Sequence, residues 1–236
     1  AINIALSNID HDFHKDGPHV VIGPIEIKNT EPGDILKIDI IDIVPRVAYG
    51  VISNRHGKGA LPGEFPLGPK PDPNDNYDFK NVSIFSQTFL ENNQVGAYID
   101  DPSGKRIQFE AKPFMGIIGV AKDTDSSVHS VPPGNHGGNL DINELVAGST
   151  LYIPVQVPGA MFYTGDPHLA QGDGEVALTA LEQSLRALFR INVIKKGSDS
   201  VLARMKIESP FAETEQYWIP IGLNEDLDIA MKNSVR

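Results

Sequence analysis

Glycine and proline punctuate this chain from end to end, and that limits its fold more than any other feature. The 22 glycines and 18 prolines are spread over all 236 residues. Such spacing breaks long helices and suits many strands joined by tight turns. At 40% hydrophobic residues, a chain of this length can bury a sizeable core. No apolar run is long enough to cross a bilayer, and the start does not resemble a signal peptide. The net charge of -11 argues against a nucleic-acid partner, because phosphate contacts need basic surface. Cysteine is absent, which excludes disulfides, cysteine-ligated zinc and a cysteine nucleophile, and makes a reducing cytoplasm the default location.

Strand patterns dominate. Ile25 and Ile27 alternate with Glu26 and Lys28, and Leu36, Ile38 and Ile40 alternate with Lys37 and Asp39. The two runs flank the turn Glu31-Pro32-Gly33-Asp34 and predict a hairpin. The parity change at Ile40-Ile41 predicts a β-bulge or a strand that bends between sheets. Residues 49–78, rich in Gly, Pro, Asn and Asp, read as a long loop, and residues 122–144 as a second. Gln94–Ile99 and Arg106–Glu110 predict a hairpin, and Phe114–Ala121 a buried, glycine-punctuated run packed closely against something. Leu151–Val157, Leu185–Val193 and Val201–Ile207 alternate as strands. Glu215–Ile221 reads as a short strand, and Asn224 as the cap of a C-terminal helix. The charged stretch Asp10–His14 reads as a solvated loop rather than a metal site.

Chemistry concentrates in Gly165-Asp166-Pro167-His168-Leu169-Ala170-Gln171-Gly172-Asp173-Gly174-Glu175, which reads as an active-site loop. Glycine lets backbone approach a ligand, while carboxylates and imidazole bind metals and move protons. A second glycine-framed group, His136-Gly137-Gly138-Asn139-Leu140-Asp141, precedes it, and Glu182 follows. No Gly-x-Ser-x-Gly elbow and no His-Glu-x-x-His signature occur, which argues against serine-hydrolase and zincin chemistry. Mixed Asp/His donors suit a zinc or similar divalent ion, with a spare carboxylate as general base and acid. Oxygen-rich, glycine-spaced loops also suit calcium in a non-catalytic β-sandwich module.

These residues resemble the acetamidase/formamidase family. The resemblance runs through Gly23-Pro24-Ile25, Glu31-Pro32-Gly33-Asp34, residues 50–65, Gly137–Asp141, Leu151–Val155, Gly159-Ala160 and the Gly165–Glu175 signature, closing on Glu182. It implies a mainly β, β-sandwich-like fold of antiparallel sheets with long functional loops and few short helices, as a single domain over 1–236. It also implies an intracellular homo-oligomer that hydrolyses short linear amides such as formamide and acetamide. The same fold acting on a larger amide, a cyclic imide or a ureide is the enzymatic alternative. On this reading Asp141, Asp166 and His168 hold the ion and its activated water. Glu175 or Glu182, with Asp173 beside them, moves the proton. Asn139, Gly138 and His136 receive the substrate and its oxyanion. Family members carry more sequence at both ends, so the chain reads as an interior segment that associates with the rest of its own polypeptide.

Overall fold

The computed structural model describes residues 11–12, 14–66, 81–91, 94–101, 103–205 and 207–235. The strands in chain order are β1 (Val21–Ile25), β2 (Ile35–Pro45), β3 (Tyr49–Arg55), β4 (Asn81–Glu91), β5 (Gln94–Asp100), β6 (Arg106–Glu110) and β7 (Phe114–Gly119). They continue with β8 (Gly137–Asn139), β9 (Thr150–Pro154), β10 (Phe162–Ala170), β11 (Leu181–Glu182), β12 (Leu185–Ile194), β13 (Phe211–Glu213) and β14 (Trp218–Pro220). Two short helices follow β12: α1 (Val201–Arg204) and α2 (Leu227–Val235). No described helix is long and apolar enough to cross a membrane.

The strands form two antiparallel sheets. A nine-stranded sheet runs β6-β5-β4-β3-β11-β10-β7-β8, with β1 also on β10, and a five-stranded sheet runs β12-β2-β9-β13-β14. The main core holds Leu36, Ile38 and Ile40 of β2, Leu151 and Ile153 of β9, Ile118 of β7 and Phe162 of β10. Burying such aliphatic and aromatic side chains is worth about 1.5–3 kcal/mol each. A smaller cluster of Ala97, Leu169 and Leu181 lies within the larger sheet.

Period-two alternation is clearest in β12, where Leu185, Ala187, Phe189, Ile191 and Val193 are half-buried and the residues between them mostly exposed. Its register against β2 slips where Asp42 faces Leu188 and Ile40 faces Phe189. Ile41 is therefore the extra, 40% exposed residue of a bulge. That device lets Ile38, Ile40 and Ile43 all reach the core.

The structure corrects five local expectations. The turn at Glu31–Asp34 does not close a hairpin, because β1 pairs with β10 and β2 with β9 and β12. Residues 49–55 are strand β3, paired with β4 and β11, so the loop is shorter than expected; its part from 67 to 80 lies outside the described residues. Val201–Ile207 is no strand: one helical turn ends at Arg204. The C-terminal helix is capped by Asp226, whose Oδ1 accepts the Ile229 N–H, while Asn224 accepts the Asp226 N–H one step earlier. The Gly165–Glu175 stretch is a loop only in its second half; Gly165–Ala170 belongs to β10. In the Asp10–His14 stretch, Asp12 accepts the His14 N–H in a turn, and Asp10 and Phe13 lie outside the described residues.

Candidate active site and metal centre

The site is built where strand β10 changes partners. Along one edge β10 pairs with β7 throughout. Along the other, β1 reaches as far as Gly165, and β11 takes over from His168. At the hand-over Asp166 adopts a left-handed backbone, φ 52. The pairs Gly165–Ile117 and Pro167–Met115 put Gly116 directly across from Asp166. The segment after β8 closes on the same glycine, with the N–H groups of Leu140 and Asp141 donating to the Gly116 carbonyl at 3.0 and 3.2 Å. Two carboxylates from distant parts of the chain therefore meet over a residue without a β-carbon.

One donor atom each from Asp141, Asp166 and His168 lie within 4.8 Å of one another. His168 Nε2 is 3.2 Å from Asp166 Oδ2, and the ring is 1% exposed, edge-on to Phe114 at 5.0 Å between centroids. Gln171 fixes its tautomer. The Gln171 amide Nε2 donates to the Asp141 carbonyl at 2.7 Å, so Oε1 is the atom facing His168 Nδ1 at 2.9 Å. Nδ1 therefore carries the hydrogen and Nε2 faces the carboxylates, the arrangement a metal-binding histidine needs. Asp141 Oδ1 is buried with no hydrogen-bond partner among the described residues, a cost that an ion would remove. The three side chains fit a divalent cation.

Further acids crowd this centre. Glu175 ends the 3-10 turn Asp173–Glu175, and its carboxyl is near enough to Asp141 to act on its titration. Glu182 of β11 pairs with His168 across the strands. Burial, with the charges of Glu175 and Asp166, raises Asp141 to about 8. Burial also pushes Glu175 and Glu182 upward. Burial opposes the charge on His168, but the hydrogen bond and charge of Asp166 outweigh it and raise the imidazole to about 9. Asp166 moves down, because His168 more than offsets its burial. Asp141, Asp166 and Glu175 all have positive φ, at 49, 52 and 44. Left-handed backbone costs a non-glycine residue about 1–3 kcal/mol and gathers at functional sites.

The other residues expected from the sequence occupy different positions. Asp173 is exposed and accepts a hydrogen bond from Asn143 Nδ2 at 2.9 Å. Asn139 lies beside Ile117, its Oδ1 buried and unpartnered among the described residues. His136 is 3% exposed and lies against the backbone of Gly134 and Gly138. Burial, with Lys122 nearby, lowers its imidazole to about 4. Sequence reasoning missed His19, whose Nε2 is 4.0 Å from Asp166 Oδ2, and Arg55, whose charge acts on both His19 and Glu182. Nothing local marked His19, while Arg55 lay in the glycine-rich stretch 49–78, to which no site role was assigned.

The two-sheet fold and this cluster define a β-sandwich with a candidate divalent-metal centre. Residues 121–222 match the model of the Acetamidase/Formamidase family. A formamidase of Methylophilus methylotrophus is 26% identical over 237 residues, 84% of this chain and 57% of that protein. The acetamidase structure from Yersinia enterocolitica superposes with a TM-score of 0.72 at 27% identity, over 92% of this chain and 60% of that one. The acetamidase from Bacillus halodurans gives 0.71 at 26%, over 95% and 68%. The chain is thus similar, over most of its length, to acetamidases and formamidases. It spans little more than half the length of the curated relatives it matches.

Proposed function

We propose that this chain carries the catalytic centre of an amidohydrolase that cleaves the C–N bond of short amides to ammonia and a carboxylate. The observation that carries the reading is the meeting of Asp141, Asp166 and His168 beside two further carboxyls raised by burial. Asp141, Asp166 and His168 would hold a divalent ion, zinc on this donor set, since a buried imidazole suits zinc and calcium prefers six to eight oxygens. The ion would supply Lewis-acid activation of water and of the amide carbonyl.

The chain's own groups account for the proton movements. Glu175, whose charge acts on Asp141, would take a proton from the attacking water as its oxygen adds to the carbonyl carbon. Glu182, across from His168, would deliver a proton to the departing nitrogen as the C–N bond breaks. Partial desolvation and the neighbouring charge of Asp166 favour the protonated form of each, Glu182 keeping a face open to solvent, which suits carboxyls that must hold a proton between steps. Asn139 and glycine N–H groups are the candidates for steadying the oxyanion.

Ammonia release from formamide and acetamide, with metal analysis of the same preparation, tests the proposal. Release that disappears on chelation and returns with zinc is expected. No release from any short amide by metal-loaded protein would reject it.

A further inference from the structure

His19 stands at the join between the carboxylate cluster and a separate cavity. Its Nε2 lies 4.0 Å from Asp166 Oδ2, too far for a hydrogen bond, so a ligand atom bonded to both would sit to one side of the line between them. The ring is aimed rather than loose. Its Nδ1 is 2.8 Å from Ser130 Oγ, and the Ser130 N–H donates to the Asp16 carbonyl at 2.9 Å.

Ser130 has a second face. It lines a cavity of about 330 Å³, walled by Val21, Ile117, Val120, Val128, Met161 and Tyr163. None of Asp141, Asp166, His168 or His19 lines it, and what links cluster to cavity is the contact chain Asp166, His19, Ser130. These apolar walls are joined by polar residues, among them Lys122, Thr124 and His129. Burial, with Lys122 nearby, lowers the His136 imidazole, and burial raises the Tyr163 phenol, so both stay uncharged at neutral pH. Met161 reaches the wall from two consecutive residues of left-handed backbone, Ala160 at φ 53 and Met161 at φ 55, a conformation ordinary residues resist. A volume of this size lies at the lower end of the range for small organic ligands, about 300–1,000 Å³, and exceeds what a formyl or acetyl group needs.

We propose that this cavity takes the acyl side chain of the substrate, and that His19 binds the amide where the chain turns from the cavity toward the cluster. The substrate class is then amides of compact acids with an apolar side chain, larger than acetamide. This rests on the amidohydrolase reading.

The test compares acetamide, butyramide and phenylacetamide in the wild-type chain, V128W and S126W, all metal-loaded. Val128 and Ser126 are exposed residues of the cavity's wall and rim, so an indole at either position fills the cavity with little strain on the core. An apolar pocket distinguishes substrates by about tenfold or more per methylene. Wild-type kcat/KM should therefore rise by at least about tenfold from acetamide to butyramide, and the tryptophan variants should erase that rise. H19Q should raise KM more than it lowers kcat for all three amides. Binding of phenylacetamide, followed by calorimetry, should weaken in V128W and S126W whether or not turnover occurs. Equal kcat/KM for the three amides, or calorimetric binding unchanged in both variants, would overturn the cavity assignment. Absence of ammonia from every amide, with cavity binding intact, would instead sink only the catalytic reading.

Discussion

Asp141 and Asp166 converge on the one position of β7 where a side chain would separate them. A β-carbon on Gly116 would lie 2.5 Å from Asp141 Oδ1 and 2.7 Å from Asp166 Oδ2. Gly116 is not among the positive-φ glycines, so its own backbone accepts alanine, and the conflict is chiefly with the two carboxylates, with a lesser one at 3.1 Å to the Asp166 carbonyl oxygen. G116A should therefore fold with a near-normal melting temperature and lose at least about tenfold in metal affinity. Competition with a chromogenic chelator measures the affinity, and circular dichroism the fold. Unchanged metal binding in G116A would show that the two carboxylates do not share an ion.

Gln171 makes a second prediction because it performs two tasks with one amide. Q171L keeps the volume but removes the acceptor for His168 Nδ1 and the donor to the Asp141 carbonyl. Loss of such an outer partner costs about 10–100-fold in metal affinity or activity. Q171E keeps an acceptor for His168, loses the donor to Asp141, and should fall between wild type and Q171L. Equal zinc affinities in all three would mean that the tautomer of His168 does not matter.

Asp34 predicts the acid stability of the fold. It is 2% exposed, accepts the N–H groups of Glu31 at 2.9 Å and Lys196 at 2.8 Å, and is paired with Lys195. Burial would raise its carboxyl, but the bonds from Lys195, Lys196 and Glu31 together lower it. A carboxylate depressed in the folded state contributes stability that is complete above its unfolded value, near 3.8, and is lost as pH falls through the folded value. Lys195 is half exposed, so the ion pair adds little and the buried backbone bonds carry most of the effect. D34N should cost about 1–3 kcal/mol at neutral pH, and its difference from wild type should shrink as pH drops below 3.8. Denaturant melts at pH 7 and pH 3 measure this; a constant difference would mean that the ionised form is not what holds the turn.

The parts of the fold legible in the sequence were those governed by local periodicity. Leu185–Ile194 and the bulge at Ile41 follow from alternation between a wet and a buried face, which one strand can report alone. The partnership of β1 with β10 does not, because alternation says which face is buried and nothing about which distant strand lies alongside. Val201–Arg204 also alternates, yet one helical turn satisfies Leu202 and Ala203 as half-buried residues. The site divides the same way. Asp166, His168 and Glu175 were visible as acids and imidazole among glycines, and the glycine-punctuated run of β7 was visible as a place of close approach. That Gly116 is where Asp141 and Asp166 meet depends on the register of three strands, and His19 joins them only through the hand-over on the edge of β10.

Glu175 supplies the last prediction, and the one that most directly separates binding from turnover. Its charge acts on Asp141, while Asp141, Asp166 and His168 form the donor set without it. Glutamine at 175 retains the size but cannot accept a proton at neutral pH. E175Q should therefore keep zinc affinity within a few-fold of wild type and lose about 10²–10⁴ in kcat, the usual worth of a positioned acid–base group. KM should change little, because the interaction lost is one made in the transition state. H168A should give the opposite pattern, losing zinc first and turnover as a consequence. If E175Q and H168A both lost metal in parallel, Glu175 would be a ligand and the base would have to be sought at Glu182. If E175Q kept full kcat, neither role would stand for it, and its left-handed turn, φ 44, would then be structural.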